Sequence, residues 1–278
     1  MTIHPKKSLG QNFLTSIPAR IAIVQAGNVT PADTILEIGP GKGFLTRALL
    51  DTGASVVALE KDTDLIPLLE KQFSSEREEG RLTLIEGDAL TFDPGDQTTL
   101  ATGYKIIANI PYYITGAILE RYLTHTHQPE TMVVLVQKEV AERVCARDGK
   151  ESILSLSVQA YGTPSLVYRV SRGSFHPAPT VDSAVLQITS ISRNNFDTQY
   201  HEAMFFKVVK AGFAHKRKML ASNLQGVFSD VSVRELLALH NIPEKARAED
   251  LHLPSWIELS RSLTQREKSS VEKKRVGE

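Results

Sequence analysis

Between residues 33 and 138, short apolar runs alternate with longer amphipathic stretches. The runs at 34–38, 55–59, 82–85, 104–110 and 131–136 have strand length, and several are β-branched. They are apolar nearly throughout, as parallel strands covered on both faces must be. The stretches 43–51, 62–73, 115–122 and 138–146 predict helices between them. In the second of these, Leu65, Leu68, Leu69 and Phe73 recur at helical spacing behind Asp62, a candidate N-cap. This alternation predicts an α/β fold with a doubly wound, Rossmann-like sheet. Two further runs, 165–170 and 184–188, predict a pair that closes the sheet as an antiparallel edge. The segment between them carries Gly173, Pro177 and Pro179 and reads as a loop.

After about Arg193 the strand signals stop, and 200–213, 215–224, 231–240 and 254–263 follow helical periodicity. The chain therefore divides into a sheet domain over 1–192 and a small helical domain over 193–263. The stretch 264–278, TQREKSSVEKKRVGE, holds almost no apolar residues and predicts a disordered charged tail.

Composition narrows the function classes. The 278 residues contain one cysteine, Cys145, which excludes a disulfide framework and any multi-cysteine zinc site. His125 and His127 have no third metal ligand nearby in sequence. No run of about 18 apolar residues is present, and MTIHPKKSLGQNFL lacks an apolar signal core, so a soluble, cytoplasmic protein with no membrane partner is expected. Lys+Arg and Asp+Glu both total 32, but residues 191–278 carry 15 against 11, and 1–190 carry 17 against 21. A neutral total can thus hide a basic face on the helical domain.

The chemistry-bearing motifs sit where predicted strands end. Ile35-Leu36-Glu37-Ile38-Gly39-Pro40-Gly41-Lys42-Gly43 carries a strand into three alternating glycines, where the backbone can turn tightly and approach a ligand. A dinucleotide site of the G-x-G-x-x-G type fails at Phe44, which stands in place of the last glycine. The G-x-G-x-G form instead resembles the first motif of S-adenosylmethionine-dependent methyltransferases. Glu60 ends the next predicted strand, 21 residues beyond Gly39, where a carboxylate can accept both hydroxyls of a ribose. Asp88, after the third strand, can accept the exocyclic amine of an adenine. The segment Ala108-Asn109-Ile110-Pro111-Tyr112-Tyr113-Ile114 ends the fourth. Asn109 and the Pro111 carbonyl offer two acceptors for a planar amine, and Tyr112 a flat face for a base. Such an amine is a poor nucleophile, so orientation and partial pyramidalisation are the help it requires. The segment resembles the [N/D/S]-P-P-[Y/F/W]-like motif of amino methyltransferases acting on adenine or cytosine.

Gln11-Asn12-Phe13-Leu14, the glycine loop, Glu60, Asp88, Asn109-Ile110-Pro111-Tyr112-Tyr113, and Phe175-His176-Pro177-Ala178-Pro179-Thr180-Val181-Asp182-Ser183 follow one another in the order of one family. From about Lys7 to Leu253 the chain resembles the ribosomal RNA adenine dimethyltransferases, specifically their small-subunit (KsgA/RsmA-type) branch. Tyr113 and Gln137-Lys138-Glu139-Val140-Ala141-Glu142-Arg143 resemble that branch more than the large-subunit enzymes that confer macrolide resistance. Ser152-Ile153-Leu154-Ser155-Leu156-Ser157 departs from the branch, which usually carries Tyr-Gly before Leu-Ser. The resemblance implies dimethylation of N6 on two adjacent adenosines in the 3′-terminal hairpin of small-subunit rRNA, on an immature 30S-type subunit; the sequence leaves the oligomeric state open, with a monomer as the simplest expectation. It implies that Asn12 and Leu14 close over S-adenosylmethionine, that Gly39 approaches its methionine part, and that Asn109 sits between cofactor and target. It also implies that Tyr112 and Phe175 pack on the two faces of the target adenine. RNA contact is expected from Lys6-Lys7 and from Lys207, Lys210, His215, Lys216, Arg217 and Lys218, since such residues pair with phosphates. Two other readings remain: an assembly factor that acts mainly by binding, and a nicotinamide-linked dehydrogenase, which Phe44 and the 109–113 segment disfavour.

Overall fold

The computed structural model describes residues 5–276, and the chain forms two compact units. The first unit comprises 1–145 and 162–191, and the second 146–161 and 192–278. Where the sequence predicts a single boundary near 192, the helical unit also takes up 146–161.

In the first unit the chain runs through β1 (Phe13–Leu14), α1 (Ile17–Ala26), β2 (Thr34–Ile38), α2 (Phe44–Leu50) and β3 (Ser55–Glu60). It continues through α3 (Ile66–Gln72), α4 (Ser74–Glu78), β4 (Leu82–Glu86), β5 (Lys105–Asn109), α5 (Thr115–Thr124), β6 (Thr131–Gln137) and α6 (Lys138–Val144). β7 (Thr163–Val170), β8 (Phe175–His176) and β9 (Ser183–Thr189) complete it. Seven strands form one sheet in the order β4-β3-β2-β5-β6-β9-β7. The first five are mutually parallel, and β9 pairs antiparallel with both β6 and β7, so the pair expected from the sequence does close the sheet.

Burial explains the apolar strands. Ile35, Leu36, Val56, Val57, Ile106 and Val133 are 0–1% exposed although neighbours along a strand face opposite ways. Helices therefore cover both faces, and each fully enclosed aliphatic side chain contributes about 1.5–3 kcal/mol. The chain builds outward from β2 through β3 to β4 and then crosses back to β5 on the other side of β2. That reversal is the switch point at which doubly wound sheets open a crevice beyond their carboxyl ends.

Three local features go beyond or against the sequence reading. Helix α3 begins at Ile66, because the Asp62 carboxylate is turned toward the N-terminal segment and does not cap the helix. Pairing of β1 with β8, in which Leu14 faces Phe175, forms a two-stranded ribbon that periodicity does not reveal. Residues 153–159, unassigned from the sequence, form α7 (Ile153–Gln159), started by a capping box between Ser152 and Ser155.

The second unit adds α8 (Gln199–Gly212), α9 (Leu220–Gln225), α10 (Val233–Leu239) and α11 (Leu253–Val276). Phe205, Val208 and Trp256 are completely enclosed at its centre, where α8 packs on α11. The helix expected over 215–224 starts only at Leu220; His215, Lys216, Arg217 and Lys218 lie in an exposed turn. Helix α11 runs through 264–276, where the sequence predicted a disordered tail, and residues 277–278 of that tail lie outside the described residues. No described helix is long and apolar enough to cross a membrane.

Candidate active site

A cleft of about 780 Å³, counting its open mouth, lies beyond the carboxyl ends of β2, β3, β4 and β5. Its walls gather Asn12, Gly39, Glu60, Asp88, Asn109, Pro111 and Tyr112, which are spread over a hundred residues of chain. Seven of the nine residues singled out from the sequence thus share one cavity.

The glycine loop shapes one wall. Gly39 has φ +69°, and a Cβ there would find only the Asn109 carbonyl oxygen at 3.9 Å, so its open side faces the cleft. Gly43 has φ +78°, and its Cβ would lie 2.5 Å from the Phe73 ring. The first glycine therefore leaves room for a ligand, and the third permits close packing of the loop on α3.

Glu60 is 5% exposed at the end of β3. Its Oε2 accepts the Gly41 N–H at 3.0 Å and its Oε1 the Asp62 N–H at 2.8 Å. Burial pushes the Glu60 carboxyl above its ordinary value, and those backbone donors oppose the shift. Each oxygen keeps a second lone pair for a hydroxyl. Asp88 accepts Lys61 Nζ at 2.7 Å on Oδ2 and the Leu90 N–H at 2.9 Å on Oδ1. The Lys61 ammonium and the Leu90 amide hold Asp88 below the usual carboxylate range. An incoming amine would share Asp88 with Lys61, a partner the sequence did not indicate.

At the end of β5, Asn109 Nδ2 donates to the Asn12 carbonyl at 3.1 Å, while no protein donor reaches its Oδ1 among the described hydrogen bonds. The Pro111 carbonyl accepts the Ile114 N–H at 3.2 Å in the 3-10 turn Tyr112–Ile114. The Pro111 carbonyl keeps its other lone pair, and Ile110, whose carbonyl lies outside that turn, also lines the cleft, so either carbonyl can serve as the second acceptor. Tyr112 shares a 2.6 Å hydrogen bond with Ser183 Oγ on β9, which fixes the ring at the cleft wall. Burial pushes the Tyr112 phenol up, against the Ser183 hydroxyl. In the sequence Ser183 is only the last residue of a motif; its role depends on a contact 71 positions away.

Leu14 and Phe175 stand apart. Both lie in the hydrophobic core, 6% and 5% exposed, as cross-strand partners in the β1–β8 ribbon, and neither lines the cleft. Lys6, expected to meet RNA, pairs with Asp62 and Asp64; the Lys7 side chain lies outside the described residues.

A sequence profile described as ribosomal RNA adenine dimethylase matches residues 3–265. The chain is 40% identical over 260 residues to the ribosomal RNA small subunit methyltransferase A of Dehalococcoides mccartyi, covering 93% of this chain and 88% of the relative. Its identity to the protein of the same description from Fusobacterium nucleatum is 37%, covering 93% and 97%. Among solved structures, a dimethyladenosine transferase from Plasmodium falciparum shares the fold with a TM-score of 0.73 at 24% identity, over 89% of this chain and 95% of that one. The 23S rRNA methyltransferase ErmE does so with a TM-score of 0.72 at 24% identity, over 90% and 98%. A cleft at the sheet's switch point, lined by the glycine loop, Glu60, Asp88 and Asn109, accompanies a family match over nearly the whole chain: the protein belongs to the ribosomal RNA adenine dimethylase family.

Proposed function

We propose that this chain dimethylates N6 of two adjacent adenosines in the 3′-terminal hairpin of small-subunit rRNA, acting as a monomer on an immature subunit. The observation that carries the reading is the gathering of Gly39, Glu60, Asp88 and 109–112 into one cleft. The relatives at 37–40% identity are described as small-subunit methyltransferases, which favours that branch over the large-subunit enzymes.

The cleft fits S-adenosylmethionine, which when bound supplies an electrophilic methyl group. Glu60 holds the ribose hydroxyls on its spare lone pairs, Asp88 the adenine amine, and Gly39 leaves space for the methionine part. Asn109 Oδ1 and a main-chain carbonyl at Pro111 or Ile110 accept hydrogen bonds from the two N6 protons of the target base and aim its lone pair into the cleft. Tyr112, braced by Ser183, stacks on that base. The base must first leave its stack, at a cost of about a few kcal/mol, which a hairpin loop lowers. Orientation by fixed acceptors is the catalytic contribution, so no strong base is required.

The test is methyl transfer from labelled S-adenosylmethionine to under-methylated small subunits, with unmodified large-subunit RNA alongside, followed by nucleoside analysis. The expected product is N6,N6-dimethyladenosine from the small subunit alone. Label in the large-subunit RNA would move the chain to the resistance branch. Tight subunit binding without label would leave only the assembly-factor reading. Asn109→Ala is expected to abolish turnover while S-adenosylmethionine still binds within about tenfold of wild type. Near wild-type turnover in that variant would remove Asn109 from the mechanism.

A further inference from the structure

The segment ahead of β1 is anchored by a carboxylate that methyl transfer does not use. The Asp62 side chain is 0% exposed. Its Oδ1 accepts Lys6 Nζ at 2.5 Å, its Oδ2 accepts Gln11 Nε2 at 2.6 Å, and the Asp64 N–H reaches Oδ1 at 3.2 Å. Lys6 Nζ also meets Asp64 at 2.6 Å, and the Lys6 N–H donates to Gln11 Oε1 at 2.7 Å, so the two anchors brace each other. Between and just beyond them, Gly10, Asn12 and Phe13 line the cleft. Gly10 lies so near Tyr113 that a Cβ would come within 3.1 Å of its ring, and the Asn12 carbonyl receives Asn109 Nδ2.

The same residue also faces the other way. The Asp62 N–H donates to Glu60 Oε1, the carboxylate proposed to hold the ribose. One turn after β3 therefore grips the covering segment with its side chain and orients a ligand-binding carboxylate with its backbone. Burial alone would raise the Asp62 carboxyl, but the Lys6 ammonium, the Gln11 amide and the Asp64 N–H outweigh it and hold the group below the usual range. A carboxylate with three donors is well satisfied, and charge-assisted bonds are the strong ones. Half-exposed Lys6 keeps part of its hydration, so the pair escapes most of the desolvation cost of a deeply buried bridge.

We propose that Asp62 is a positioning residue that clasps residues 6–12 along the cofactor cleft through Lys6 and Gln11, so that bound cofactor leaves only when this clasp opens. The inference rests on the reading that the cleft holds S-adenosylmethionine. It differs from a merely structural role in predicting a change of exit rate with the fold intact. Asp62→Asn sets an amide N–H₂ among the Lys6 and Gln11 donors, while Lys6→Met and Gln11→Ala remove the donors one at a time.

The experiment measures dissociation of S-adenosylhomocysteine by stopped flow, together with hydrogen exchange at residues 10–13 in the ligand-free proteins. Asp62→Asn and Lys6→Met are each expected to speed dissociation about tenfold and to raise exchange at those amides, with melting temperatures within a few degrees of wild type. The double variant is expected to be no faster than its faster parent, because both changes break one clasp. Dissociation within twofold of wild type in both single variants overturns the proposal, as does a double variant whose factors multiply to about a hundredfold. Should Asp62→Asn fail to fold, Lys6→Met and Gln11→Ala carry the same test, since neither side chain is enclosed. Glu60→Ala separates the two readings. If it binds S-adenosylhomocysteine as wild type does, the cofactor site itself is misassigned; if it loses binding while the clasp variants behave as wild type, only the clasp falls.

Discussion

Glu37 shows how far a single side chain can depend on its surroundings. It is 1% exposed on β2, and no protein group bonds its Oε2 among the described residues. Burial, reinforced by the nearby Glu60 carboxylate, pushes its carboxyl up to about 8. The folded protein thus holds a proton that the unfolded chain, with an ordinary carboxyl near 4.5, gives up. Its contribution to stability is full below the unfolded value and is lost as pH rises from there through about 8. Glu37→Gln removes the titration, so urea unfolding should show the variant gaining on wild type between pH 5 and pH 9, by up to about 4 kcal/mol. Parallel stability curves for the two proteins would show that Glu37 is ionised throughout. Glu60, one strand over, is legible from its spacing behind the glycines because strand ends in this fold follow at regular intervals. The partners Lys61, Gln11 and Ser183 are not legible, since each meets its target across 27 to 71 positions of chain. The turn's hydrogen bond to the Pro111 carbonyl is equally hidden in the sequence, since it forms only when residues 112–114 fold.

At the level of elements, two glycines of one loop should respond differently to the same substitution. A methyl group at Gly43 adds a left-handed backbone cost of about 1–2 kcal/mol to a collision with the Phe73 ring. Gly43→Ala should therefore lower stability by about 3 kcal/mol, visible as a drop in Tm. Gly39→Ala meets the backbone cost alone, but its methyl projects into open space at the cleft. Its loss should appear chiefly as weaker S-adenosylhomocysteine binding in titration, with a smaller change in Tm than Gly43→Ala. The reverse ranking would mean that the loop's glycines serve packing only. The inner parallel strands β2, β3, β5 and β6 are readable because near-complete burial on both faces leaves an apolar run, whereas the edge strand β4 is only partly buried. Helix α7 stays hidden because its start depends on Ser152 and Ser155 capping each other, a local bond without an apolar stripe to announce it. The β1–β8 ribbon stays hidden because two residues on each side are too few to show alternation. That ribbon draws Leu14 and Phe175 into the core, away from the cleft positions the family resemblance implied.

For the molecule as a whole, zero net charge is the sum of two unequal parts, and the RNA-binding role proposed for the helical unit depends on where the excess lies. Residues 191–278 carry the positive share, yet not all of it is available. Lys207 pairs with Glu267 at 3.1 Å and lies over the Phe228 ring, which leaves it poorly placed to neutralise a phosphate. His215, Lys216, Arg217 and Lys218 share an exposed turn between α8 and α9, where the sequence predicted the first turn of a helix. They should contribute charge without base selectivity. Replacing Lys216, Arg217 and Lys218 together with Gln should weaken binding to small-subunit RNA at low salt. It should also flatten the plot of log K against log salt by up to about 2–3, since every phosphate left without its cation takes about 0.7–0.9 off the slope. Binding of S-adenosylhomocysteine should be unchanged, because the cleft belongs to the other unit. An unchanged salt slope in the triple variant would show that this turn does not neutralise phosphates and would move the phosphate-binding cations elsewhere in the molecule.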